Sequence, residues 1–335
     1  MTCHRRVSRI VQIHPTRRCN LTCQHCYSES GPGIRGELSL ELLLDLVRDA
    51  AAERYDYLAI SGGEPLMWRG LMPLLAAGRS AGMTVTLTTN GTLVTSEVAR
   101  RLADATSYVA VSVDGAPGSH DRIRGEGSFA RMQRGVSLLR SAGVKVGVIW
   151  TLTQSNAHEL ADVYAFGREI EAEFVQVHPL ESVGYAAQNL RAEVPDMDEL
   201  LVAGLFASDL RDESPGTVPI YLDAAASTDL ADRVMPSPDR DAPLSALVDP
   251  LVVRPDGLVV PGNYALPESW ALGRVTEAPL STLAQQWKEQ RLSAWRDLVT
   301  DTLSDLPREP CFVNFGARLL LSAQRSSAVA RVRRG

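Results

Sequence analysis

The chain has 335 residues, of which 45% are hydrophobic and 22% are charged. This is an ordinary globular composition, which excludes a disordered or collagen-like protein. The 34 basic and 40 acidic side chains give a net charge of −6, which argues against a nucleic-acid partner because such proteins usually carry a basic face. No apolar run approaches the ~20 residues of a membrane span, and the N-terminus lacks the apolar region of a secretion signal. We therefore expect a cytoplasmic protein with no membrane partner.

Short β-branched runs alternate with helical stretches through the first 180 residues. The pattern predicts strands at 9–15, 57–61, 83–89, 107–114, 144–153 and 174–180, and helices at 39–53, 72–82, 95–105, 128–143 and 156–172. Alternation at this spacing indicates βαβ units and a parallel sheet. Six units fall short of the ~250 residues of a full eightfold barrel. We predict an α/β fold built as a partial six-stranded barrel or an open sheet.

The rhythm weakens after residue 180. A helix is predicted at 198–212, and the Pro-, Asp- and Ser-rich segment 212–246 is the best linker candidate. A β-hairpin turning at Arg254–Gly257 is predicted over 247–264, followed by a helix at 280–299. We therefore divide the chain into a core at 1–195, a helix and Pro/Asp-rich linker at 196–246, and a small α+β C-terminal extension at 247–335.

Three of the five cysteines lie within eight residues. This crowding favours a metal site in a reducing compartment over a disulfide framework. Cys19, Cys23 and Cys26 form C-x3-C-x2-C in the loop after the first strand, and thiolates suit iron–sulfur clusters, copper(I) and zinc. A closed zinc site needs four ligands, with the fourth from His25 or His14. A cubane cluster on three cysteines leaves one iron open to a small molecule. The spacing alone leaves both sites open.

Polar clusters also follow the second, third and fourth strands. They are Ser61-Gly62-Gly63-Glu64-Pro65, Thr88-Thr89-Asn90-Gly91 and Ser112-Val113-Asp114-Gly115. The carboxyl ends of parallel strands meet at one edge of a sheet. We therefore expect these clusters to converge with the cysteine loop on one pocket. There the glycines would let backbone approach a ligand closely, and Glu64 would supply an acceptor.

Together these motifs resemble the radical S-adenosylmethionine (SAM) superfamily. The local form CNLTCQHCY (19–27) is similar to the subgroup whose C-terminal extension is the SPASM or twitch domain, known for modifying peptides and proteins. The resemblance is specific over residues 9–180 and weak over 247–300. It implies a partial (β/α)6 TIM-like barrel for the core, followed by a SPASM/twitch-like extension.

The resemblance implies a set of cofactor-binding residues. Cys19, Cys23 and Cys26 would ligate one 4Fe–4S cluster, whose open iron would chelate SAM. The implied SAM contacts are Tyr27, Gly62, Gly63, Glu64, Asn90, Ser112 and Arg124. Among them, Tyr27 would lie near the adenine, Glu64 would accept from the ammonium group, and Arg124 would pair with the carboxylate, a role that suits a guanidinium. Asn90 and Ser112 would bind near the ribose or the carboxylate. No catalytic residue acting on the substrate is assigned.

The chemistry implied by the resemblance is one-electron reduction of SAM to methionine and a 5′-deoxyadenosyl radical, which takes a hydrogen atom from the substrate. The electron would come from a flavodoxin- or ferredoxin-type donor. We expect the substrate to be a ribosomal precursor peptide in natural-product biosynthesis, modified by epimerisation, rearrangement or crosslinking. The alternative substrate is a small sugar, nucleoside or amino-acid scaffold. A zinc-binding, non-catalytic protein is a third, less favoured reading.

The C-terminal extension departs from its subgroup. Where the resemblance leads us to expect a cysteine after the second hairpin strand, the chain has Pro261-Gly262-Asn263. Only Cys3 and Cys311 remain outside the motif, too few for an ordinary four-cysteine cluster. We therefore predict a degenerate extension without an auxiliary cluster, which favours redox-neutral outcomes.

Overall fold

The computed structural model of the protein describes residues 9–210, 217–307, 309 and 311–332, so Cys3 lies outside the described residues. The strands are β1 (Ile10–Ile13), β2 (Tyr57–Ile60), β3 (Thr84–Thr89), β4 (Tyr108–Ser112), β5 (Val146–Leu152), β6 (Val175–Pro179), β7 (Ile220–Leu222), β8 (Ala225–Ala226), β9 (Leu251–Val253), β10 (Leu258–Pro261), β11 (Gly273–Arg274) and β12 (Phe312–Val313). The helices are α1 (Leu40–Ala52), α2 (Leu71–Ser80), α3 (Ser96–Ala105), α4 (Pro117–Arg124), α5 (Ser128–Ser141), α6 (Leu160–Glu169), α7 (Tyr185–Asn189), α8 (Met197–Asp209), α9 (Leu230–Val234), α10 (Leu280–Gln290), α11 (Leu292–Ser304) and α12 (Phe315–Val332).

Ten strands form one sheet in the order β11-β10-β9-β1-β2-β3-β4-β5-β6-β7. Every neighbouring pair from β1 to β7 is parallel, and helices connect successive strands. The predicted α/β fold with a parallel barrel core is confirmed. The six predicted strands and five predicted helices of the core are all present, with ends shifted by a few residues.

Two helices of the core, α1 and α3, begin at a residue whose side chain caps them. The side chain of Ser39 accepts from the backbone N–H of Leu42 at the start of α1, and Thr95 caps α3 in the same way. These contacts satisfy backbone donors that have no partner inside the helix. The buried residues of α1 are Leu43, Leu46, Val47 and Ala50. Their spacing forms one apolar stripe that packs against the sheet.

The segment expected to be a linker contributes a seventh parallel strand. β7 pairs with β6 and buries Ile220. A three-residue strand among prolines and aspartates is too short to leave a periodic pattern in the sequence. The segment 212–216 lies outside the described residues.

The C-terminal hairpin continues the barrel sheet. The predicted turn is present, since Arg254 donates its N–H to the carbonyl of Leu258 at 2.9 Å and Gly257 has a φ of +82°. β9 runs parallel to β1, with Val11 opposite Leu251. The helix predicted at 280–299 is instead two helices, α10 and α11, because the backbone leaves helical geometry at Arg291 (φ −125°, ψ −20°).

The two ends of the barrel interior differ in chemistry. Leu58 and Val85 face α2, since a Cβ on Gly78 would meet both; residues on the opposite face of the strands therefore point inward. At the amino end, the inward Tyr108 ring packs on Phe174 with centroids 5.0 Å apart, and Phe174 lies 6.2 Å from Tyr221. These aromatic rings fill the floor of the barrel.

The strand register keeps the same set of positions facing inward along the whole length of the strands. At the carboxyl end, the inward-facing side chains are those of Thr88, Ser112, Thr151 and His178. The carboxyl end of the interior is thus polar. None of the described helices combines the length and apolar character that crossing a bilayer would need.

Candidate functional site

The cysteine loop lies between β1 and α1, at the carboxyl end of the barrel. The thiols of Cys19, Cys23 and Cys26 are free, and the first two residues are only 8% and 9% exposed. The backbone N–H of Leu21 donates to Sγ of Cys19 at 3.5 Å, and that of Ser30 donates to Sγ of Cys26 at 3.3 Å. Such N–H donors favour sulfur in its thiolate form, the form that binds metal.

Burial controls the protonation of these thiols. It raises the pKa of Cys19 to about 11 and that of Cys23 to about 12. Without a metal these two thiols are therefore protonated at neutral pH, and metal binding must release their protons. The thiols and their backbone donors fit the three-cysteine ligand set of an iron–sulfur cluster. Among the described residues, no three His, Cys, Asp or Glu side chains lie in positions where they could together hold one metal ion.

The two histidines considered as zinc ligands have other neighbours. His25 points Nε2 at Asp114, 2.7 Å away. His14 is fully buried, stacked on Tyr264 with ring centroids 4.8 Å apart and edge-on to Tyr27. Burial first, then Arg254, lowers the pKa of His14 to about 3. Its ring is therefore neutral at physiological pH.

Gly62 and Gly63 let the loop after β2 lie directly on the cysteine loop. Gly62 has a φ of +115°, and a Cβ on it would lie 2.8 Å from the carbonyl oxygen of Thr16. A Cβ on Gly63 would lie 2.3 Å from the carbonyl oxygen of Arg18. The backbone N–H of Gly63 donates to Thr16 at 2.8 Å. Both glycines are thus required by a backbone-to-backbone approach, whereas the sequence suggested an approach to a ligand.

Glu64 is a fully buried carboxylate that connects the ends of β2 and β3. Its Oε1 accepts from the hydroxyl of Thr89 at 2.8 Å and from the N–H of Leu66 at 3.1 Å, and its Oε2 accepts from the N–H of Asn90 at 2.9 Å. Burial raises the pKa of Glu64, and the three donors oppose that rise.

Asn90 extends this connection to the first cysteine. Its Nδ2 donates to Oδ1 of Asn20 at 3.0 Å and lies 3.9 Å from Sγ of Cys19. Its Oδ1 accepts from the N–H and the hydroxyl of Thr92. Asn90 therefore lies beside a predicted cluster ligand, and its contact with the ribose or carboxylate of SAM stays a prediction.

Arg124 belongs to a buried group of three side chains. Its Nε donates to Oδ2 of Asp114, which also contacts Nε2 of His25 at 2.7 Å. Burial alone would raise the pKa of Asp114, but Arg124 and His25 outweigh it and hold that pKa well below its usual range. The guanidinium thus has an internal carboxylate partner, and its predicted pairing with the SAM carboxylate stays a prediction.

The last cysteine is covered by the loop after β6. Tyr185 donates its N–H to the carbonyl of Cys26 at 2.9 Å, and a Cβ on Gly184 would lie 2.6 Å from the same oxygen. Tyr27 packs edge-on against Tyr264 of the extension, with centroids 5.0 Å apart. The remaining predicted contact, Ser112, ends β4 on the inward face with 9% of its surface exposed.

Comparison with known proteins shows the family to which the barrel region is similar. Residues 13–167 match the family model described as the radical SAM superfamily. This part of the chain belongs to the radical SAM superfamily. The family implies SAM and an iron–sulfur cluster as cofactors.

Named relatives share the radical SAM region. The chain is 37% identical over 158 residues to Fe-coproporphyrin III synthase of Methanosarcina barkeri, an alignment that covers 46% of this chain and 40% of that protein. It is 39% identical over 151 residues to mycofactocin maturase MftC of Mycobacterium tuberculosis, covering 43% and 38%. The chain thus spans less than half the length of either relative.

Solved structures share the fold over most of the chain. SuiB of Streptococcus suis bound to its precursor peptide SuiA aligns with a TM-score of 0.68 and 16% identity, covering 93% of this chain and 70% of that one. At this identity, the likeness establishes the fold alone.

The sequence missed two members of the site. Asp114 stood in a recognised motif, but its buried partnership with Arg124 depends on α4, a short helix that the pattern did not predict. Tyr264 lies outside the motifs that predicted the site. Its contact with His14 and Tyr27 follows from the pairing of β9 with β1, which places Val11 opposite Leu251.

Proposed function

We propose that this protein is a radical SAM enzyme with one 4Fe–4S cluster held by Cys19, Cys23 and Cys26. The observation that carries the proposal is the trio of free thiols, with N–H donors on two of them, at the polar end of a parallel barrel. A cluster held by these three cysteines would supply the electron for reductive cleavage of SAM, the source of a 5′-deoxyadenosyl radical that would take a hydrogen atom from the substrate.

The protein's own residues would orient SAM and exclude water. Glu64 holds the backbone of Asn90, whose side chain lies beside Cys19 at the edge of the cysteine loop. Arg124 places a permanent positive charge near the same loop, where it would favour an anionic group. Gly62, Gly63, Tyr27 and Ser112 complete the proposed SAM contacts. The aromatic floor of the barrel would keep water from the radical, which a reactive intermediate requires.

A single cluster is proposed because the extension has a hydrogen-bonded asparagine, Asn263, where a cysteine was expected. Asn263 donates to Oε2 of Glu181 at 3.0 Å, and Asn314 donates to Oε1 at 3.1 Å. Two amides and a carboxylate thereby tie the extension to the loop after β6. Cys311 stands alone among the described residues of the extension. We keep the proposed division at 1–195, 196–246 and 247–335.

A ribosomal precursor peptide is the proposed substrate class. The likeness to SuiB with a bound precursor peptide and the 39% identity to MftC support this proposal. A small molecule is the second candidate: besides the sugar, nucleoside and amino-acid scaffolds, the 37% identity to Fe-coproporphyrin III synthase adds a tetrapyrrole. A flavodoxin- or ferredoxin-type electron donor and a cytoplasmic location remain part of the proposal.

Anaerobic reconstitution followed by mass spectrometry tests this function. The protein would be incubated with SAM and dithionite, alone, with the peptide encoded nearest its gene, and with coproporphyrin III. We expect 5′-deoxyadenosine in all three reactions. In the peptide we expect a mass change or, for an epimerised or rearranged product of unchanged mass, a changed chromatographic retention or fragmentation pattern. A change confined to the porphyrin would replace the peptide by the second candidate. A zinc-containing, colourless protein that leaves SAM intact would refute the radical SAM assignment.

A further inference from the structure

A histidine–carboxylate pair lines the polar half of the barrel, apart from the residues assigned above. Nδ1 of His178, in β6, lies 2.9 Å from Oδ2 of Asp223, just beyond β7. Gln176 donates through Nε2 to both oxygens of Asp223, at 2.9 and 2.8 Å. The side chain of His178 is 42% exposed, so the ring reaches open space although its strand is paired on both sides.

The His178 ring faces the barrel interior. Its strand neighbours Val175 and Val177 are fully buried, and a Cβ on Gly167 of α6 would lie 2.6 Å from Val175. Val175 therefore faces the helices, and residues at odd spacing from it face inward. His178 is opposite Thr151 in β5, whose N–H donates to Oδ1 of Asp114 at 3.2 Å. One strand thus separates His178 from the buried Asp114–Arg124–His25 group.

The contacts of the pair leave one donor free. Both oxygens of Asp223 already accept hydrogen bonds, and none of the described residues hydrogen-bonds to Nε2 of His178. A carboxylate on Nδ1 fixes the orientation of an imidazole and leaves Nε2–H to contact what lies beyond.

The charges that face the ring are Asp223 and Glu181. Burial alone would lower the pKa of His178, but these two carboxylates outweigh it and raise that pKa to about 9. The ring is thus a cation at neutral pH. A cationic N–H donor binds a negatively charged oxygen more strongly than a neutral one.

We propose that Nε2 of His178 donates a hydrogen bond to a carboxylate of the substrate, with Asp223 and Gln176 as positioning residues that hold the ring. The inference rests on the proposed function, because it assumes that the substrate enters the barrel at the same edge as SAM. Such a contact would fix the position of the substrate's reacting carbon relative to the radical. The carboxylate could be the carboxyl terminus of a peptide or the acid group of a small molecule.

The test is a titration of the full-length holoprotein with simple carboxylates, followed by NMR of ¹⁵N-labelled histidines. The probes are acetate and N-acetylglycine, each compared with its neutral amide at matched ionic strength. The His178 signal is assigned from its absence in His178→Gln, or in His178→Asn if the first variant does not fold. His158, whose side chain is 74% exposed, reports non-specific effects in the same spectra.

We expect a saturable shift of the His178 Nε2 signal with carboxylates, at least threefold larger than with the amides and absent at His158. A stronger response to N-acetylglycine than to acetate would assign the carboxylate to a peptide terminus, and equal responses would assign it to a small acid. No saturable shift, or equal shifts with the amides, would overturn the inference.

The positioning role of Asp223 has its own measurement. Asp223→Asn should lower the NMR-determined pKa of His178 from about 9 towards the ordinary value of ~6.5 and weaken the carboxylate response at least threefold. An unchanged pKa and response would remove Asp223 from this role.

The titration uses neither SAM nor a reductant, so its outcome does not depend on whether the proposed function is correct. If the wild-type protein forms no 5′-deoxyadenosine but responds to carboxylates, the proposed function is refuted and the His178 contact is supported. If it forms 5′-deoxyadenosine but shows no response, the function is supported and the His178 contact is refuted.

Discussion

The backbone N–H of Asn90 donates to the buried carboxylate of Glu64 at 2.9 Å. This bond joins the loops that follow β2 and β3, and the amide of Asn90 then lies 3.9 Å from Sγ of Cys19. Glu64 thus supports the edge of the cysteine loop, whatever it contributes to SAM binding. This support makes the residue a sensitive point for mutation.

Replacing Glu64 by Ala should weaken both the fold and SAM binding. The change leaves the buried donors of Thr89 and Asn90 without an acceptor, at a cost of about 1–3 kcal/mol each. We expect a lower urea midpoint and at least tenfold weaker SAM binding by equilibrium dialysis, with the iron content retained. The exposed Glu41 on α1 is the control, and Glu41→Ala should change neither quantity. Unaltered SAM affinity in Glu64→Ala would remove Glu64 from the site.

Replacing Gly63 by Ala should displace the cysteine loop. The new Cβ would lie 2.3 Å from the carbonyl oxygen of Arg18, a backbone atom that cannot move aside as a side chain can. We expect the iron bound per chain after reconstitution to fall at least threefold. Gly33→Ala is the matched control, since nothing lies within 4 Å of its Cβ position. Full iron content in Gly63→Ala would contradict the close approach of the two loops.

Replacing Asp114 by Asn should strongly destabilise the protein, because it leaves the charge of Arg124 buried without its partner. Loss of one member of a buried ion pair costs about 3–5 kcal/mol. Asp45→Asn is the control, since Asp45 and its partner Arg48 are 68% and 75% exposed and such surface pairs contribute about 0–1 kcal/mol. Urea unfolding at pH 7 measures both effects.

The same variant predicts a pH dependence. The folded-state pKa of Asp114 lies well below 3.8, so its ion pair contributes fully above that pH and is lost as the pH falls through the folded-state pKa. The stability difference between wild type and Asp114→Asn should therefore be constant near neutrality and shrink in acid. A difference that grows in acid would contradict the assigned charge state.

Sequence reasoning predicted the barrel well because its signals are local. The βα rhythm, the caps at Ser39 and Thr95 and the turn at Gly257 each depend on a few adjacent residues, and all are present. The strand β7 and the break at Arg291 were missed. A three-residue strand is too short to show a periodic pattern of apolar residues. The apolar pattern of 280–299 continues through the break at Arg291 without interruption.

Site residues were named from motifs, but their partners were not predicted. Gly62 and Gly63 were expected to make room for a ligand, and the close approach in the structure is to the cysteine loop itself. The partnership of Asp114 with Arg124 and that of His178 with Asp223 join separate elements. Contacts of this kind depend on tertiary packing, which a single sequence does not record.

Replacing Cys311 by Ser should leave the iron content unchanged. The extension is tied to the barrel by Glu181, Asn263 and Asn314, and we propose no cluster there. Glu181→Ala should instead lower the melting temperature without loss of iron, because both amides lose their acceptor. Measuring the bound iron in both variants distinguishes an extension held by hydrogen bonds from one that binds a second cluster. A loss of several irons in Cys311→Ser would indicate an auxiliary centre.

The most direct test of the account compares wild type with Cys23→Ala after anaerobic reconstitution. Cys23 is a buried thiol and a proposed ligand, so its loss should abolish both the cluster and SAM cleavage. We predict about four irons per chain and 5′-deoxyadenosine with dithionite in the wild type, and neither in the variant. A Cys23→Ala protein that still forms 5′-deoxyadenosine, or a wild type that forms none, would contradict the account.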